Sequence, residues 1–167
     1  APEHIGWKVA VKDRRNALRN PYAHLQMKAI SIEKVKESPM LWDPLHFLES
    51  CPSSDGAAAM VLTNAAGAKR APRRPAWVIA HAKRTETIQF PGRDPVKPAA
   101  GVECAKALYE KAGITDPRRQ IDCAELYVPF SWYEPMWLEG HLIAEEGEGW
   151  KMTDARETEI GGAFPVN

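Results

Sequence analysis

The sequence predicts an α/β layered domain, and three observations carry that expectation. Short apolar runs at Ala57–Leu62, Trp77–Ala80 and Cys123–Val128 have the length of buried strands. Between them lies a stripe, Val102, Ala105, Leu108–Tyr109 and Ala112, with helical spacing. The alternation of strand, helix, strand and helix is the pattern of layered α/β architecture. With 167 residues the chain has room for one domain with a real core.

In chain order, the first twenty residues read as a helix. Pro2 suits a first-turn position, and Ile5, Val9 and Ala17–Leu18 recur at roughly helical spacing. Asn20–Pro21 is expected to end it, because proline disfavours helical geometry in the residue before it. Residues 22–50, interrupted by Pro39 and Pro44, read as irregular. A tight turn, Ser50 to Gly56, then precedes the first strand run; Gly56 permits a positive φ and Asp55 can bond the turn's own amides. Lys83 to Pro98 reads as loop. Gly113 is a natural stop for the central helix, and Pro135 is expected to open a helix carrying Met136, Trp137, Leu138 and Leu142.

Composition excludes several classes. No apolar run is long enough to cross a bilayer, and no basic-then-apolar signal pattern opens the chain, so a cytoplasmic setting is expected. Cys51, Cys104 and Cys123 are odd in number and widely spaced, which argues against a disulfide framework or a structural zinc site. Net charge is zero, yet residues 122–167 hold ten acidic and two basic side chains. The basic stretch Lys69, Arg70, Arg73, Arg74 reads as a solvated loop or as a cationic rim for a phosphate-bearing ligand. It has no aromatic interleaving and no recognised motif, so nucleic acid is not an expected partner, and without a spanning apolar run neither is a membrane. Glu145, Glu146 and Glu148 lack histidine or cysteine partners at ligand spacing, and no metal is assigned.

The strongest local site is the junction from Glu125 to Trp132. Ligands of open α/β sheets bind beyond the carboxyl ends of strands, which places Tyr127 where chemistry occurs. A phenol of ordinary pKa near 10 can give a proton or hold an oxyanion. The alternative is a core tyrosine bonded to a carbonyl. Cys51 has no histidine nearby in sequence, and His46, His81 and His141 are isolated; each histidine reads more readily as structural than catalytic.

Three segments taken together resemble the thiolase superfamily, in its lipid-transfer-protein (sterol carrier) branch. Val9 to Tyr22 resembles the helix in which that family places a K-x-x-x-N-A-x-x-N-P pattern. Cys51-Pro52-Ser53-Ser54-Asp55-Gly56 followed by three alanines resembles its S-D-G-A-A-A turn near bound acyl-CoA. Ala124 to Trp132, then a helix and Gly147-Glu148-Gly149, resembles its H-D-A-F or N-E-A-F strand end and later G-E-G turn. The order and spacing agree across nearly the whole chain. The resemblance implies a thiolase-like layered fold, with this chain a central or C-terminal-half segment. It divides the chain into residues 1–50, from the end of the first thiolase half, and 51–167, the start of the second. It also implies that Cys51, Ser53, Ser54, Asp55, Gly56 and Phe130 lie against acyl-CoA.

Position 127 departs from the family pattern, where Asn or His helps to bind the thioester oxyanion. The stretch Tyr127-Val128-Pro129-Phe130-Ser131-Trp132 instead resembles thiolase-like aldolases of bacterial steroid side-chain degradation. That implies retro-aldol cleavage of a β-hydroxyacyl-CoA, with Tyr127 catalytic, no cysteine nucleophile and no cofactor beyond the coenzyme A of the substrate. None of the three cysteines matches a thiolase catalytic position. A homodimer and a small OB-fold partner protein are further implications of the same resemblance. The alternatives it leaves are an acyltransferase of the sterol-carrier type and a non-catalytic acyl-CoA-binding protein.

Overall fold

The structure is a computed structural model and describes residues 1–87, 92–94 and 96–167. Part of the expected loop from Lys83 to Pro98 therefore lies outside the described residues. Helix α1, His4–Ala17, buries Ile5, Val9, Ala10 and Val11 along one face. It ends before Asn20–Pro21, where the Leu18 amide donates to the Arg15 carbonyl and the Arg19 amide to the Asn16 carbonyl.

Residues 22–50 contain more structure than their sequence advertises. Ser31 caps α2, Ile32–Glu37, by accepting from the Lys34 amide. A short antiparallel hairpin of β1, Met40–Trp42, and β2, Leu45–His46, follows and leads into a 3-10 turn at Phe47–Glu49. The proline-interrupted sequence hides these pieces because each is too short to show a period.

The three expected strands do not form ladders among the described residues. Ala57–Leu62 and Trp77–Ala80 have no regular assignment, and Met60, Val61, Val78 and Ile79 are all more than 70% exposed. A strand needs a second segment to hydrogen-bond, and these two find none among the described residues. The Cys123–Val128 run makes one parallel bridge, Ala124 to Val166. A short helix, α3, Ala65–Ala68, separates the first two runs, with Asn64 as its cap.

The helices behave more as expected. Helix α4, Ala99–Ala112, stops at Gly113, whose φ of 69° is the left-handed conformation that favours glycine. Helix α5, Pro117–Gln120, is capped by Asp116. Helix α6, Tyr133–Gly140, begins two residues before Pro135, and Leu142 lies past its end with φ of 59°. Helix α7 spans Gly149–Asp154. A side chain at Gly149 would press on the Pro135 carbonyl, so glycine lets α7 approach α6 closely.

Two apolar clusters hold these parts together. One joins Leu138, Ile143, Met152, Phe164 and Val166 around α6, α7 and the last residues. The other joins Ala10 and Val11 of α1 with Ile30 and with Val35 of α2. Between them runs a buried polar network. Lys12 Nζ donates to Glu134 Oε2 at 2.5 Å and to the Val166 carbonyl at 2.7 Å. The other Glu134 oxygen accepts from Thr153 and Thr158, each at 3.0 Å. Lys12 occupies the apolar face of α1, three residues after Val9, and a cation there requires such partners.

Candidate functional site

Two segments far apart in sequence run side by side at the candidate site. Ser50 and Phe130 form an antiparallel bridge, and the Cys51 amide donates to the Pro129 carbonyl at 2.8 Å. The Ser131 amide donates to the Glu49 carbonyl at 2.9 Å. The start of the Cys51–Gly56 turn is thereby fixed against the Tyr127–Ser131 loop. From α1, Arg14 donates from Nη2 to the Ser50 carbonyl at 2.7 Å. Burial holds the Arg14 guanidinium below its usual pKa, and Asp13 and Cys51 act against that shift. A cleft of about 100 Å³ lies here, lined by Asp13, Arg14, Cys51 and Val128 among others.

Tyr127 is held by its backbone and left free at its ring. The amide before it, on Leu126, donates to Asn167 Oδ1 at 2.7 Å. Its own carbonyl accepts from Trp137 Nε1 at 2.9 Å. Asn167 is itself anchored, since its amide donates to the Ala124 carbonyl at 3.1 Å and Asn16 donates to its carbonyl at 2.7 Å. The Tyr127 residue is 75% exposed, and its hydroxyl has no hydrogen bond among the described residues. Within this chain Tyr127 is a surface residue and not part of either apolar cluster. Phe130 is half-buried and packs near Tyr133, with ring centroids 6.2 Å apart.

The other expected site residues are only partly gathered. Cys51, Ser53, Ser54, Asp55 and Gly56 are all exposed. Ser54 Oγ hydrogen-bonds His24 Nδ1, a contact that ties the turn to the residues after α1. Gly56 does not use the positive φ expected of it, and a Cβ added there would meet nothing. The turn is open at that point, so no left-handed residue is needed. Cys51, Cys104 and Cys123 are all free thiols.

The remaining candidates differ in burial. His46 is buried beside Trp7, and His81 is exposed. His141 stacks on Trp137 at 5.2 Å, and burial lowers its pKa. Lys69, Arg70, Arg73 and Arg74 are solvent-exposed, as are Glu145 and Glu146. No group of acidic, histidine or cysteine side chains among the described residues is arranged to hold a metal ion. Among the described residues, no helix is long and apolar enough to cross a membrane.

Several residues around the site escape sequence reasoning. Asn167 and Trp137 fix the backbone at Tyr127 from elsewhere in the chain. Nothing local marks them. Lys12 and Glu134 do carry a signal, because each interrupts the apolar stripe of its helix.

Comparison with known proteins agrees with this architecture. The profile of the family described as "Thiolase C-terminal domain-like" matches residues 82–167. An acetyl-CoA acetyltransferase of Methanothermobacter thermautotrophicus is 35% identical, over 95% of this chain and 41% of its own. A 17-hydroxy-3-oxo-4-pregnene-20-carboxyl-CoA lyase of Mycobacterium tuberculosis is 31% identical, over 95% of this chain and 42% of its own. The solved structure of an Ltp2-ChsH2(DUF35) aldolase superposes with a TM-score of 0.90 and 28% identity, covering all of this chain and 44% of that one. The chain thus spans less than half the length of these relatives. More than half of the chain matches the family's own profile, and its fold superposes along its whole length on the Ltp2-ChsH2(DUF35) aldolase: the chain belongs to the thiolase superfamily and has a thiolase-like fold.

Proposed function

We propose that the protein to which this chain belongs is a carbon–carbon lyase that performs retro-aldol cleavage of a steroid side-chain β-hydroxyacyl-CoA. The observation that supports this most directly is Tyr127, fixed through the Leu126 amide and its own carbonyl while its phenol faces solvent. In the proposed reaction a base takes the β-hydroxyl proton, and the oxygen's electron pair becomes the ketone carbonyl. The bond between the α and β carbons breaks, and its electron pair leaves as the enolate of the shortened acyl-CoA. Tyr127 delivers a proton to the α-carbon of that enolate, and solvent or the base returns one to the phenolate. A phenol can give up a proton in such a step, which needs no nucleophilic cysteine. The base is assigned to no residue here.

Cys51, Ser53, Ser54, Asp55, Gly56 and Phe130 are proposed to line the acyl-CoA path. The pairing of Cys51 with Pro129 supports this by setting the turn beside the loop that bears Tyr127. The reaction calls for no cofactor apart from the coenzyme A of the substrate. A homodimer and a small partner protein of the OB-fold type complete the proposal. The partner is supported by the Ltp2 aldolase, which shares this chain's fold and was solved together with ChsH2(DUF35).

The second reading is an acyltransferase, favoured by the acetyltransferase relative. One experiment separates them. The intact protein is supplied with a steroid β-hydroxyacyl-CoA, and then with acetyl-CoA and isotopically labelled free CoA. Ketosteroid release that is lost in Tyr127→Phe supports the lyase; cysteine-dependent acyl exchange without ketosteroid release contradicts it.

A further inference from the structure

Beneath the bridged segments lies a contact that the chemistry just described does not use. Glu49 is 4% exposed and Ser131 is 3% exposed. Ser131 Oγ donates to Glu49 Oε1 at 2.8 Å, across 82 residues of sequence. The second Glu49 oxygen accepts from the His46 amide at 2.8 Å, which closes the 3-10 turn on itself. The Ser131 amide meanwhile donates to the Glu49 carbonyl, so the two residues are joined twice. An acidic side chain buried this deeply is expensive unless its oxygens are held by donors. Both are held, one by Ser131 from the segment that bears Tyr127 and the other by the His46 amide that opens the 3-10 turn.

A second, independent observation points to the same contact. Gly6 sits inside α1, where glycine costs roughly 1 kcal/mol relative to alanine. A Cβ there would lie 2.7 Å from Trp132 Nε1 and 2.9 Å from Ser131 Oγ, and closer still to Glu49 Oε1. The helix therefore accepts a weak residue at the one place where it must lie flat over the Glu49–Ser131 pair. Packing from α1 on one side and bridging on the other leaves this pair little freedom.

We infer that Glu49 and Ser131, seated under Gly6, are positioning residues that hold the Tyr127 loop in register with the Cys51–Gly56 turn. Neither touches the reacting atoms; they act through Tyr127, so the inference rests on the reading of Tyr127 as the proton donor. Ser131 follows Tyr127 by four residues, and Glu49 precedes the Cys51–Gly56 turn by two. A slip between the two segments would move the phenol relative to bound acyl-CoA, and misplacement by about 1 Å can cost on the order of 100-fold in rate.

The test is steady-state kinetics of the intact protein on a steroid β-hydroxyacyl-CoA. Ser131→Ala and Glu49→Ala are each expected to lower kcat by about 10- to 100-fold with little change in KM. Glu49→Gln should recover most of that loss, because its carbonyl still accepts from the His46 amide and its amide group can donate to Ser131 Oγ. Gly6→Ala should reproduce the Ser131→Ala phenotype. In the Tyr127→Phe background, Ser131→Ala should cost nothing further, which a merely structural role would not produce. Hydrogen exchange at the Cys51 and Ser131 amides should rise in Ser131→Ala while the rest of the protein stays protected. Equal losses in the presence and absence of the Tyr127 phenol overturn the inference, as does wild-type kcat in Ser131→Ala. Full activity of Tyr127→Phe by itself overturns the proton-donor reading and removes the inference with it, so the two failures are told apart.

Discussion

Lys12 stands where the apolar stripe of α1 calls for a leucine, and its partners show why it is tolerated. Its ammonium is shared between Glu134 and the Val166 carbonyl, with Asp13 3.0 Å away. Removing one member of such a pair leaves a buried charge without compensation, at a cost of roughly 3–5 kcal/mol. Lys12→Ala should lower stability by that amount, read as a shift in the denaturation midpoint; a shift below about 1 kcal/mol would contradict this account. Asp13 behaves differently. Burial, with Glu134 nearby, outweighs Lys12 and pushes its carboxyl up from 3.8 to about 6. An acid raised on folding penalises the folded state once it ionises. Stability from this group is therefore full below pH 3.8 and is lost as pH rises to about 6. Asp13→Asn should be more stable than the parent at pH 7 by on the order of 1–2 kcal/mol, with the difference gone near pH 4. Denaturation curves at the two pH values check the sign. The signal for Lys12 was in the sequence; its partner 122 residues away was not, because no local pattern encodes a tertiary contact.

Among the elements, the helices were legible and the strands were not. The stripe from Val102 to Ala112 and the glycine at 113 predicted α4 and the place where it stops, since both signals are local. Met60–Leu62 and Trp77–Ile79 have strand-like composition, but a ladder belongs to two segments, and composition describes only one. The hairpin at Met40–His46 was missed for the converse reason: its pairing is real and its strands are too short to show alternation. Helices α6 and α7 meet through the fully buried Phe164, which joins Leu138 and Met152 in one cluster. Phe164→Ala should cost about 3–5 kcal/mol through cavity formation. Because the same last residues carry Asn167, it should also loosen the Leu126 amide. Native-state hydrogen exchange at Leu126 distinguishes this coupling from a purely local loss.

For the molecule as a whole, the thiolase identity was legible because three motifs kept their order and spacing across the chain. The arrangement of the site was legible only in outline. The sequence placed Tyr127 and the Cys51–Gly56 turn in the same functional region, and the structure joins the two segments at Cys51 and Pro129. It did not foresee that the backbone at Tyr127 would be fixed by Asn167 and Trp137, which come from two separate segments. Those contacts fix the backbone that bears the exposed phenol, the kind of support the proposed proton donor would use.

The most direct measurement is single-turnover cleavage of a steroid β-hydroxyacyl-CoA by the intact protein, with and without Tyr127→Phe. Substrate affinity should be unchanged and the rate of ketosteroid release should fall by about 100-fold or more, the scale of a lost general acid. Release at the parent rate after Tyr127→Phe would contradict the assignment of Tyr127 as the proton donor.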